Sequence, residues 1–238
     1  MPDLTANMDR ILAKCCTDYE IIIVDDGSLD GTPDIAGKLK DAFPKLRYFR
    51  HERNRGVGAA FGTGVGAAQY EWIGYTDGDA QYDAQDILNF VKYMNESDVI
   101  TGTRVYRADG MHRKWISVIY NIILKCAFGL SIKDTNSALK IYRRKALQAA
   151  FPLISEGPFY DAEVLIKIQN ADFKITEVPI RHLPRKYGAA LGVSFSSIQN
   201  TARCMVKNEF RPYVIPGFIS YGILKILSLA GTFLGFRK

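Results

Sequence analysis

Residues 20–43, EIIIVDDGSLDGTPDIAGKLKDAF, carry the reading that decides the fold. Ile21–Ile22–Ile23–Val24 is a continuous apolar run that ends in two carboxylates, Asp25 and Asp26. A short apolar run bounded by turn residues predicts a strand buried on both faces, the habit of parallel sheets. GSLDGT then reads as a loop. Pro33 stands at a first helical position, where its missing N–H costs nothing, so a helix follows. Strand, polar loop, helix is the repeating unit of an α/β sheet.

The unit recurs along the chain. LRYFRHE (46–52) reads as a second strand and GVGAAFGTGVGAAQ (56–69) as a helix. Gly58, Gly62 and Gly66 fall on one face of that helix, each costing about 1 kcal/mol relative to alanine. A bare face implies that a sheet or a ligand approaches it closely. EWIGYTD (71–77) is a third strand. Asp83 is placed to cap a helix whose Ile87, Phe90, Val91 and Met94 follow helical spacing. DVITGTR (98–104) is a fourth strand. Helices over 112–128 and 160–171, a strand over KITEVPIRH (174–182) and an amphipathic helix over 194–209 complete the pattern. Strands alternating with helices predict a mostly parallel, doubly wound sheet with helices on both faces. In such sheets ligands bind beyond the carboxyl ends of the strands. The loops at Asp25–Asp26, Asp77–Asp79 and Thr103–Arg104 are therefore expected to share one crevice.

YTDGDAQYD (75–83) places Asp77, Asp79 and Asp83 within seven residues. Their repulsion needs an answer. Mg²⁺ or Mn²⁺ would supply one, because such sites use one or two carboxylates together with substrate phosphates. Gln81 offers a further, neutral oxygen. The other reading is a capped turn with Asp77 and Asp79 solvated, and the motif by itself does not choose between them.

Composition narrows the partners. The 238 residues are 47% hydrophobic and 24% charged, which excludes extensive disorder, and the net charge of +6 favours anionic partners. The four cysteines match no zinc spacing and read as reduced thiols of a cytosolic compartment. Residues 1–19 are too polar for a signal peptide.

VDDGSLDGT, RNRGVGAA, TDGDAQYD, TGTR, DTNSALKIYRR, FYDAEVLIK and EVPIRHLPRKYG occur here in order between about Glu20 and Gly192. On these motifs the chain resembles the family 2 glycosyltransferases of GT-A fold. Within them it is similar to the branch that moves mannose or glucose from a nucleotide to dolichyl or another polyprenyl phosphate. The resemblance implies a metal-dependent, inverting hexosyl transfer. Asp26 would contact the nucleoside, and Asn54 and Gly56 would line the same pocket. Asp77, Asp79 and Gln81 would hold Mg²⁺ or Mn²⁺ on the diphosphate. Arg104 and Arg185 would bind donor or acceptor phosphates, with Lys186 beside them. Asp161 and Glu163 match acidic positions near the acceptor. Lys140 stands where the family often has arginine, which keeps the charge but loses the bidentate fork.

A lipid phosphate is already ionised near pH 7 and needs cations and orientation rather than a general base. The resemblance thus selects a nucleotide-diphosphate sugar donor, a polyprenyl phosphate acceptor and a membrane surface as partners, and no nucleic acid. Two other readings keep the donor site: a sugar or polysaccharide acceptor, and a catalytically silent nucleotide-sugar-binding protein.

The family pattern opens with an apolar strand that lies between the EIIIVDD and EWIGYTD strands. This sequence begins near the helix after it, so the expectation is that the strand is missing or that its two neighbours pair directly. The expected division is a transferase domain over 1–192 and membrane-associated helices over 193–238. The segment from Tyr213 to Lys238 is long enough to span a bilayer but carries Lys225 near its middle. Gly231 and Gly235 form a helix-pairing motif that would support a homo-oligomer. The expected location is the cytoplasmic face of the membrane, peripheral or C-terminally anchored.

Overall fold

The computed structural model describes residues 1–106, 111–184 and Tyr213. Arg185, Lys186, the helix expected over 194–209 and the apolar tail lie outside the described residues, apart from Tyr213.

Helix α1 (Pro2–Cys15) leads into β1 (Ile21–Asp25), α2 (Thr32–Ala42), β2 (Leu46–Arg50), α3 (Val57–Ala67) and β3 (Trp72–Tyr75). Asp83 accepts from Gln85 N at 3.0 Å and opens a 3-10 turn, Ala84–Asp86, which runs into the short α4 (Ile87–Val91). Then come β4 (Val99–Tyr106), α5 (Met111–Phe128), β5 (Lys140–Arg143), α6 (Arg144–Ala150), α7 (Tyr160–Asn170) and β6 (Ile175–Arg181).

The α/β architecture with parallel strand pairs and flanking helices follows the sequence; the strands divide into two sheets, and one strand, β5, runs antiparallel. β1 and β2 form a parallel pair in register from Ile21–Leu46 to Asp25–Arg50. β3, β5, β4 and β6 form a second sheet in that order. β5 runs antiparallel between β3 and β4, and β4 and β6 are parallel. β1 and β3 are not neighbours in either sheet, so the direct pairing of those two strands is not found. α3 crosses between the sheets, packing on β1 and on α7.

Two apolar clusters clothe the larger sheet. On one face Phe61, Val99 and Tyr142 pack with Leu124, Phe128 and Leu147, and with Phe159 and Leu165 of the α7 region. On the other, Ile100, Ile141, Val178 and Ile180 pack with Met8, Ile11, Ile87 and Phe90. The alternation of Val99 and Ile100, and of Ile141 and Tyr142, between clusters is the two-residue period of a strand buried on both faces. β4 and β6 lose register between Arg104 and Tyr106, so Val105 stands as an extra residue at the strand end. Bulges of this kind re-aim side chains beside functional sites.

Candidate active site

Asp25 and Asp26 leave β1 side by side but do different work. Asp25 is buried and accepts from Ser28 N and the Tyr48 hydroxyl, both at 2.8 Å, which holds the 27–31 turn. Asp26 turns to the 51–56 loop. Its Oδ1 accepts from Arg55 N at 2.9 Å and lies 2.7 Å from His51 Nδ1; its Oδ2 accepts from Gly56 N at 2.8 Å. His51 Nε2 in turn lies 2.9 Å from Thr63 Oγ1 on α3. Burial pulls the Asp26 carboxyl upward, but the bonds from Arg55, His51 and Gly56 outweigh it and hold it below the ordinary carboxylate range. The histidine, which reads as an ordinary polar residue in the sequence, thus braces the loop carrying Asn54, which is exposed, and Gly56.

Gly56 has φ +97°, and a Cβ there would collide with the Glu156 carbonyl oxygen. One residue into α3, Gly58 N donates to that oxygen at 2.8 Å, and a Cβ on Gly58 would collide with Ser155 O. The bare face of α3 therefore admits the backbone at 155–156, at its first turn. By Gly62 the nearest neighbour is the Phe151 ring at 3.7 Å, and around Gly66 nothing lies within 4 Å. A cavity of about 320 Å³ opens between α3 and the 151–156 loop, lined in part by Arg55, Thr63 and Glu156.

The 155–156 loop is held from below by Glu163, which is fully buried. Its Oε1 accepts from Ile154 N and Lys167 Nζ, both at 2.7 Å, and its Oε2 from Ser155 N at 2.8 Å. These bonds give Glu163 the task of shaping the loop against which α3 starts.

At the end of β3, the Tyr75 hydroxyl donates to Asp77 Oδ1 at 2.7 Å. Burial, with the Asp77 carboxylate beside it, holds the Tyr75 phenol well above its ordinary range, so it remains a donor. Asp79 Oδ1 accepts from Gln81 N at 3.0 Å. Gln81 Nε2 donates to Leu183 O at 3.3 Å, and Leu183 N donates back to Gln81 O at 2.8 Å. Tyr82 and His182 form an antiparallel bridge next to them. The acidic loop is thereby stitched to the chain leaving β6, two residues before Arg185.

Two buried ion pairs complete the site, and both partners of each come from distant segments. Arg104 forks onto Asp134, with Nε to Oδ2 at 2.7 Å and Nη2 to Oδ1 at 2.6 Å, both side chains 8% exposed. Asp134 is the residue that sequence reasoning missed; its place two residues before Asn136, in the quoted DTNS motif, was the available signal. Lys140, fully buried at the start of β5, donates to Asp161 Oδ2 at 2.8 Å and to the Ser137 carbonyl. Burial pushes the Asp161 carboxyl up to about 6 against the pull of Lys140, and the charges of Asp77 and Asp134 add to the rise. Asp77 and Asp134 thus lie close enough for their charges to reach Asp161. Among the described residues, Asp161 Oδ1 has no hydrogen-bond donor.

Among the described residues, no three His, Cys, Asp or Glu side chains come together as a closed metal cage. The donor set at Asp77 and Asp79 is instead two hard oxygens on one loop. That fits a cation which completes its shell with substrate phosphate and water.

The family model described as glycosyl transferase family 2 matches residues 2–151. The dodecaprenyl-phosphate galacturonate synthase of Rhizobium johnstonii is 30% identical over 230 residues, which cover 92% of this chain and 67% of that protein. Glycosyltransferase AglD of Haloferax volcanii is 26% identical over 174 residues, covering 70% of this chain but only 28% of its own length. Among solved structures, glucosyl-3-phosphoglycerate synthase from Mycobacterium tuberculosis superposes with a TM-score of 0.64 at 16% identity, covering 84% of this chain and 74% of that one. The same enzyme has been solved with Mn²⁺, UDP and glucosyl-3-phosphoglycerate, with a TM-score of 0.63. Fold, strand-end carboxylates and family match agree, and the chain belongs to glycosyl transferase family 2, a glycosyltransferase of GT-A fold.

Proposed function

We propose that this glycosyltransferase moves a hexose from a nucleotide-diphosphate sugar to a polyprenyl phosphate, with inversion, at the cytoplasmic face of a membrane. The observation that carries the acceptor is the similarity over 92% of the chain to an enzyme named for a dodecaprenyl-phosphate product. The geometry is in keeping with it.

Asp26, Asn54 and Gly56 take the nucleoside on the loop that His51 and Thr63 brace. Glu163 acts on that side indirectly, by holding the 154–155 backbone. Asp77 and Asp79, with Gln81 beside them, would hold Mg²⁺ or Mn²⁺, which supplies positive charge to the departing diphosphate. The Tyr75 hydroxyl fixes Asp77 so that the loop meets its ligand already oriented. Arg104 and Arg185, with Lys186, receive phosphate. Asp134 locks the Arg104 fork in one plane, so the guanidinium keeps a fixed direction. Lys140 neutralises Asp161 and keeps the floor of the site from repelling a phosphate acceptor.

A second reading, transfer to a sugar hydroxyl, rests on one observation. Among the described residues Asp161 Oδ1 is unpartnered, and its carboxyl is pushed up to about 6, which suits a general base. An acceptor screen decides. Membrane-free enzyme given nucleotide sugars with either polyprenyl phosphate or soluble oligosaccharides should yield a glycosylated lipid by mass. Asp161→Asn should keep part of that activity, because no proton need be removed. Product on oligosaccharides alone, abolished by Asp161→Asn, would replace the first reading with the second.

A further inference from the structure

The register of the larger sheet sets four polar side chains in one row. Tyr75 of β3 pairs with Lys140 of β5, Lys140 with Thr101 of β4, and Thr101 with Glu177 of β6. Residues two apart along a strand share a face, so this row continues an apolar one. Ile73, Tyr142, Val99 and Ile175 stand in the same strand order and pack into one cluster. Two members of the polar row each hold a carboxylate of the site: Tyr75 donates to Asp77, and Lys140 donates to Asp161. At the far end of the row stands Glu177, half-buried.

We propose that Glu177 is a positioning residue for the phosphate-binding guanidinium of Arg104, acting on the residue before each partner of the Arg104–Asp134 pair. The inference rests on the lipid-phosphate reading of Arg104 and adds what holds that arginine in place.

A single oxygen, Glu177 Oε1, accepts from Thr103 Oγ1 and from Lys133 N, both at 2.9 Å. Thr103 immediately precedes Arg104, and Lys133 immediately precedes Asp134. The carboxylate therefore ties the strand that delivers the arginine to the segment that delivers its partner. Asn121 of α5 closes the other side. Its Nδ2 donates to Lys133 O at 3.0 Å, and its Oδ1 accepts from Thr135 N at 3.3 Å. Within the pair, Arg104 N also donates to Asp134 Oδ2 at 3.1 Å. The segment over 131–135 belongs to no helix or strand, so these side chains pair backbone groups that a ladder would otherwise pair. The need is local. β4 leaves its register with β6 between Arg104 and Tyr106, so the ladder gives out where the arginine has to hold still. Hydrogen bonding explains the residue and charge does not, because a carboxylate beside a phosphate site repels the ligand. That difference separates glutamine from methionine at this position.

Calorimetry on the full chain measures two ligands separately: a short-chain, water-soluble polyprenyl phosphate, and UDP with Mn²⁺. Glu177→Met should weaken the polyprenyl phosphate about tenfold and leave UDP with Mn²⁺ unchanged. Glu177→Gln keeps the accepting oxygen and should bind both ligands as wild type does. Thr103→Val, a loss of one donor at constant shape, should weaken the polyprenyl phosphate in the same direction and covers a methionine variant that does not fold. In an Arg104→Met background, Glu177→Met should have no further effect, because it acts through that arginine. Additive losses in the double variant would overturn the proposal. So would a glutamine variant as weak as the methionine one, or equal weakening of both ligands, the mark of a general loss of structure. Arg104→Met that binds the polyprenyl phosphate as wild type does would overturn it too. Wild type that binds no polyprenyl phosphate sinks the acceptor reading and this proposal together. Wild type that binds it, with Glu177→Met unimpaired, sinks the positioning role alone.

Discussion

Asp79 is the residue on which the donor reading turns. Its carboxylate accepts from the Gln81 amide within its own loop, where it is only half-buried, so replacing it removes charge without opening the core. Asp79→Ala should abolish the Mn²⁺-dependent part of nucleoside-diphosphate binding while the circular dichroism spectrum and melting stay unchanged. Calorimetry with and without Mn²⁺ reads this out, and equal affinities under wild-type and variant conditions would count against the metal site. Asp26 and Asp161 titrate with opposite signs. The Asp26 carboxyl is depressed in the fold, so its stabilisation is present above the unfolded value of about 4 and is lost as pH falls. Asp26→Asn should flatten the acid limb of stability below that pH. The Asp161 carboxyl is raised to about 6, so the folded state keeps its proton longer than the unfolded chain. Stability from this group therefore declines as pH rises from about 4 towards 6. Asp161→Asn should remove that slope, measured as the urea midpoint across the range.

At the scale of elements, α3 separates two kinds of glycine. At Gly58 a methyl group would meet the Ser155 carbonyl, and backbone cannot step aside as a side chain can. Gly58→Ala should cost about 1–3 kcal/mol by overpacking. Around Gly66 the space is open, so Gly66→Ala should gain up to about 1 kcal/mol from helix propensity. Urea denaturation of the two variants should move in opposite directions. The recurring glycines were legible in the sequence; which of them bears a contact was not, because the partner backbone lies about a hundred residues away. β1, β2 and the acidic strand ends were legible for the opposite reason, since apolar run, carboxylate and turn are contiguous. β5 escaped because Lys140–Arg143 is only four residues long, is charged at both ends and runs against its neighbours. Its buried lysine makes sense only once Asp161, 21 residues on, is beside it. The Arg104–Asp134 pair hides in the same way, its partners separated by the whole of α5.

Across the whole molecule, the division into two sheets sets a gradient of stability. β4 lies between β5 and β6, and Val99 and Ile100 have no exposed surface. β1 pairs with β2 alone among the described strands, and Ile21–Val24 remain only half-buried. Regions with fewer buried apolar contacts open first. Hydrogen exchange should therefore be faster in peptides covering Ile21–Asp25 than in those covering Val99–Thr103. Added nucleoside diphosphate with Mn²⁺ should narrow the gap, because Asp26 lies at the end of the weaker pair. Equal protection before ligand would show the two sheets to be one cooperative unit.

The stitch between Gln81 and Leu183 carries a consequence for how such a chain can drift over generations. Its shortest bond runs from one main chain to the other, Leu183 N to Gln81 O, and the bridge between Tyr82 and His182 continues the register. A main-chain bond is blind to the side chain on Leu183, so that position can change its letter to anything that keeps its N–H, proline alone excluded. What the lineage cannot change is the count of residues. One insertion between Asp79 and Gln81, or one deletion between Arg181 and Leu183, would slide the two segments out of step and carry the carboxylates away from the strand end. Inherited spacing, more than inherited identity, is what this part of the molecule preserves.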